Sequence, residues 1–68
     1  MFSDYEQVIN WCSAKDCDPC SDGLYRCQII SKSGILYYVH LFYEHVCGTF
    51  YNYNYDDCTN DVVYWAQL

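Results

Sequence analysis

A chain of 68 residues holds one small domain, residues 1–68, close to the length at which a hydrophobic core first supports itself. Nine acidic residues face only Lys15, Arg26 and Lys32, a formal charge of −6, which excludes a basic surface for direct nucleic-acid binding. No apolar run nears the roughly 20 residues that cross a bilayer, so no membrane segment is expected, and 21% aromatic content argues against disorder.

The first element reads as a helix. Ser3 and Glu6 have capping-box spacing, Asp4 and Glu6 suit the positive end of a helix dipole, and Tyr5, Val8, Ile9 and Cys12 form one stripe widened by Trp11. Lys15 fits the last turn. Asp16 to Gly23 is turn chemistry, and Pro19 bars a helix or a central strand there. Leu24 to Ser31 reads as a strand, Lys32-Ser33-Gly34 as a tight hairpin connection, and Ile35 to Tyr43 as the strongest strand of the chain. A turn near Glu44-His45 returns Val46 to Tyr53 antiparallel. Asn54 to Asn60 is turn-like, and Val62 to Gln67 closes the sheet. The expected fold is α+β in two layers, one N-terminal helix packed on a three- or four-stranded antiparallel meander.

The long strand is apolar on both sides. Ile35, Tyr37, Val39, Leu41 and Tyr43 point one way, and Leu36, Tyr38, His40, Phe42 and Glu44 the other. A short helix covers one face only, so the face of Tyr38, His40 and Phe42 is either folded over by a loop or offered to a partner, including a second copy of the chain. A second aromatic run, Tyr51-Asn52-Tyr53-Asn54-Tyr55, would place tyrosines on one side if extended, with Asp56 and Asp57 directly after it. The expected contacts are therefore Tyr38, Phe42, Tyr53, Tyr55, Asp56 and Asp57, because Tyr offers large rigid area with a polar tip.

Cys12, Cys17, Cys20 and Cys27 run C-x4-C-x2-C-x6-C, and the Cys17–Cys20 pair has zinc-knuckle spacing. Four thiolates on one zinc ion would fasten the helix to the sheet in a domain this small. His40, His45, Cys47 and Cys58 extend the set of ligands. Free thiols and disulfides are the other states of six cysteines, of which disulfides would mean a secreted scaffold. The run from Cys12 to Cys20 also resembles the C-x4-C-x2-C of plant-type ferredoxins over nine residues, but strands precede the loop in that family. Met1-Phe2-Ser3-Asp4 begins neither a cationic nor an apolar leader, which favours the cytoplasm. None of the common catalytic motifs occurs, and no enzyme is expected.

In size, charge and aromatic content the chain is similar to phage-encoded inhibitors such as anti-CRISPRs and DNA mimics. That resemblance implies a small acidic inhibitor in the host cytoplasm, blocking a basic surface of a host nucleic-acid-handling complex. A cytosolic zinc-stapled interaction domain is the alternative, and a secreted disulfide-bonded ligand the third.

Overall fold

A computed structural model describes residues 9–68 as an all-β unit. Its strands are β1 (Cys12–Ser13), β2 (Gly23–Ile30), β3 (Leu36–Glu44), β4 (Thr49–Tyr51) and β5 (Val62–Gln67), with a 3-10 turn over Thr59–Asp61. They form one antiparallel sheet in the order β1-β5-β2-β3-β4. The α+β expectation is overturned on three points. Among the described residues there is no α-helix, the sheet has five strands and not three or four, and it is not a simple meander, because β5 passes β4 and pairs with β2.

The physical reason for the first correction lies in β1. The segment expected to be helical is at most about 12 residues, a length at which an isolated helix is marginal in water. Cys12 and Ser13 instead pair with Trp65 and Tyr64, covering the free edge of β5, and the Ala14 N–H extends the ladder to the Val63 carbonyl at 3.0 Å. Lys15 and Asp16 then lie in a turn closed by the Ser13 carbonyl, not in a last helical turn. The Ser3–Glu6 capping box lies outside the described residues.

The hairpins follow local chemistry. Gly34 takes φ +86° between β2 and β3, and Gly48 takes φ +65° between β3 and β4, positions where a side chain would be strained. β2 and β3 pair along their whole length, from Gly23–Tyr43 to Ile30–Leu36. A register shift between Gln28 and Ile29 lets β5 bend over β2.

One face of the sheet is buried. Trp65, Tyr25, Tyr43 and Phe50 form an aromatic row across β5, β2, β3 and β4, with neighbouring ring centroids 5.5, 6.2 and 4.7 Å apart in that order. Leu41, Cys27, Ile29 and Val62 complete this core. Among the described residues, what covers it is loop. On one side the residues between β1 and β2 cross over: Trp65 Nε1 donates to the Cys17 carbonyl at 2.9 Å, Tyr25 Oη donates to the Ser21 carbonyl at 2.8 Å, and Pro19 is fully buried. On the other, Phe50 N–H donates to Thr59 Oγ1 at 2.9 Å and Cys58 N–H to the Phe50 carbonyl at 2.8 Å, which brings Cys58 against the core. Loop backbone tied down by these bonds takes the place a helix would have filled.

Candidate functional site

Strand alternation sends the remaining large side chains to the opposite face. Tyr37, Val39, Leu41 and Tyr43 share the core side with Cys27 and Tyr25, whereas Leu36, Tyr38, His40 and Phe42 share the other with Gln28, Arg26 and Leu24. The difference in exposure is sharp: Leu41 is 1% and Tyr43 4% exposed, against 74% for Tyr38 and 43% for Phe42. Tyr51, opposite Phe42 on β4, lies on this open face too.

The open face has two unlike ends. At one, a cleft of about 560 Å³ is lined by Asp22, Gly23, Phe42, Tyr43, Glu44, Tyr51 and Tyr55. Its walls are aromatic and its rim is acidic. One oxygen of Asp22 accepts the His45 N–H at 2.7 Å, which fixes the carboxylate at the turn between β3 and β4. The field here is negative. Glu44 first, by charge and by a hydrogen bond, and Asp22 further off hold the Cys47 thiol above its ordinary pKa. Tyr51 is also raised, by desolvation first and then by Glu44. At the other end a hollow of about 510 Å³ is lined by Ile9, Trp11, Arg26, Tyr38, Val39, His40 and Tyr53. Trp11 and Tyr38 stack there with centroids 6.0 Å apart. Between the two ends Phe42 meets Tyr53 edge to face at 5.8 Å.

Tyr53 and Tyr55 reach this face from a turn, since the returning strand, expected over Val46 to Tyr53, spans only Thr49–Tyr51. The run breaks after Tyr51, because Asn52 Oδ1 accepts the N–H groups of Asn54 at 2.8 Å and Asp56 at 3.0 Å and closes a turn. Tyr55 then adopts φ 64°, a left-handed conformation costing a non-glycine residue on the order of 1 kcal/mol. The turn swings Tyr53 onto Phe42 and Tyr55 into the acidic cleft.

Of the expected contacts, Tyr38, Phe42, Tyr53 and Tyr55 thus lie along one face. Asp56 and Asp57 are turned to local work: Asp56 Oδ2 accepts from Asn52 Nδ2 at 3.3 Å, and Asp57 Oδ1 accepts the Thr59 N–H at 2.9 Å. Hydrogen bonds from the Thr59 side chain and backbone hold the Asp57 carboxyl below its ordinary range. Asp22, Glu44 and Tyr51 were not expected as cleft residues. Glu44 was legible, two places after Phe42 on the same strand face. Asp22 and Tyr51 arrive through turn position and register.

Desolvation first, then a hydrogen bond with Cys12 and its charge, raise the Cys17 thiol above its ordinary pKa, so these two cysteines are neighbours, but among the described residues the four expected ligands are not gathered as one set. Cys12 is half-buried, Cys17 and Cys20 are exposed on the loop between β1 and β2, and Cys27 is buried in the sheet's core face. Among the described residues no three His, Cys, Asp or Glu side chains gather where they could hold a metal ion, and no two cysteines are joined to each other in this structure. Burial pushes the Cys27 thiol up to about 12, and desolvation followed by Asp61 and Asp56 raises Cys58. No described helix is long and apolar enough to cross a membrane.

The chain matches no protein-family model, no curated protein and no solved structure at a significant level.

Proposed function

We propose that this chain is a protein-binding module that inhibits its partner by seating basic side chains of a nucleic-acid-binding surface in the acidic aromatic cleft. One observation carries the reading: Phe42, Tyr51 and Tyr55 wall a cleft rimmed by Asp22 and Glu44, on the exposed face of a chain of net charge −6. A lysine or arginine entering it meets ring faces and carboxylates together, an arrangement favourable by about 0.5–2 kcal/mol per cation–π contact before the ion pairs are counted. The surrounding charge speeds the encounter with a basic partner and repels nucleic acid, so a partner's phosphate channel is the surface this face competes for.

The test is binding to a purified nucleic-acid-handling protein captured by the chain, measured from 50 to 500 mM salt. Affinity falls steeply with salt, double-stranded DNA displaces the chain, and Phe42→Ala with Glu44→Gln abolishes capture. Salt-insensitive capture that DNA leaves untouched overturns the reading.

A further inference from the structure

The opposite end of the open face carries the reverse charge. Arg26 on β2 and His40 on β3 are Cα partners across the two central strands, and both side chains project to the open side. Here, in a chain with three Lys and Arg residues in all, a guanidinium and an imidazole from paired positions both line the 510 Å³ hollow. None of the described lining residues is acidic. Arg26 Nε is buried and has no hydrogen-bond partner among the described residues. A guanidinium stays charged at any ordinary pH, and a buried donor left without an acceptor is costly, so among the described residues Arg26 lacks an acceptor that an anion in the hollow would bring to its guanidinium. Aromatic rings line it: Trp11 stacks on Tyr38, and Tyr53 joins them in the lining. Its volume lies in the range of small-molecule sites.

We infer that this hollow is a binding site for an oxyanion, carboxylate or phosphate, carried on an aromatic stem: the oxyanion accepts from Arg26 and His40 while the ring packs between Trp11, Tyr38 and Tyr53. A guanidinium fork matches either oxyanion in a two-point contact, and the aromatic walls distinguish an arylated anion from a bare one. The inference does not depend on the acidic cleft, which lies beyond Phe42 at the other end of the face.

The experiment is NMR titration of the full chain, following the Arg26 Nε–Hε and Trp11 indole resonances. The probes are phenylacetate, phenyl phosphate, acetate, inorganic phosphate and benzyl alcohol. Phenylacetate or phenyl phosphate shifts both resonances with half-saturation at about 5 mM or below, and the stronger of the two tells which oxyanion the site prefers. Acetate, phosphate and benzyl alcohol bind at least tenfold more weakly. Arg26→Gln abolishes the titration, and Tyr38→Ala, at an exposed position, weakens it at least fivefold with the sheet intact. Equal response to benzyl alcohol overturns the inference, as does a titration that persists in both variants. It is equally overturned if Asp4→Asn with Glu6→Gln shifts Arg26 Nε–Hε in the free protein, since a carboxylate of the chain itself would then be the acceptor.

Discussion

Leu41 and Phe42 are neighbours on β3 that face opposite sides of the sheet, and truncating each to Ala separates core from contact surface. Leu41 is 1% exposed and lies beneath the aromatic row, so Leu41→Ala removes buried carbons and leaves a cavity, costing about 3 kcal/mol within the usual range of about 2–5. A 68-residue domain has only about 3–10 kcal/mol to lose, so this variant stands near its unfolding threshold at 25 °C. Phe42 is 43% exposed, and its buried part with the Tyr53 contact is worth about 1–2 kcal/mol. Urea unfolding followed by tryptophan fluorescence measures both losses, since Trp65 lies in the core row. The Leu41 variant unfolds at far lower urea, whereas the Phe42 variant stays folded and loses affinity for a basic partner. Equal destabilisation by the two substitutions, or a Phe42 variant that binds as before, would refute the assignment of the two faces.

Tyr55→Gly relieves the left-handed strain at φ 64° while loosening the unfolded chain, so stability stays within about 1 kcal/mol of the parent while partner affinity falls; Tyr55→Val, β-branched at the same φ, costs about 1–2 kcal/mol in thermal unfolding. Trp65→Phe deletes the bond to the Cys17 carbonyl and costs about 1 kcal/mol, with faster hydrogen exchange in residues 14–22 as the direct readout. Cys27 is the last thiol alkylated in the native protein, because its pKa of about 12 against an ordinary 9.0 leaves about a thousandfold less thiolate at neutral pH. Since the folded protein holds that proton more tightly, its contribution to stability is complete below pH 9 and is lost as pH rises through 12, which urea midpoints at pH 8 and 10.5 register. Asp57 acts in the other direction: its lowered pKa gives stability at neutral pH that is lost as acid protonates the carboxylate.

Much of the sheet was legible in the sequence. Ile35 to Tyr43 announces a strand by its β-branched and aromatic run, one residue off the observed Leu36–Glu44 at each end, Gly34 marks the hairpin, and Val62 to Gln67 forms β5 over the range its residues suggested. The two sides of β3 were legible for the same reason, because a strand has a side-chain period of two. The segment around Cys12 was not. Its apolar spacing suits a helix face and a short strand alike, and the choice fell to the unpaired edge of β5, which lies 49 residues or more further along the chain. The tyrosine run was legible only in part: Asn54 onward reads as a turn, but the returning strand stops at Tyr51 and not at Tyr53, because Asn52 satisfies backbone N–H groups locally and turns the chain.

The sequence by itself determined composition-level properties and local ones: an acidic charge, an excess of aromatic side chains over what one helix could cover, strand periodicity and the hairpin glycine at Gly34. Tertiary structure decided which residues meet. It placed β5 beside β2, used two loops to seal the core, and left Cys27 buried while Cys17 and Cys20 are exposed. It also brought Asp22 and Glu44 to one end of the open face and Arg26 and His40 to the other. Spacing along the chain reports on neighbours within a turn or a strand. The two ends of this face are built from pairs set by long-range register, and register is fixed only when the whole sheet packs.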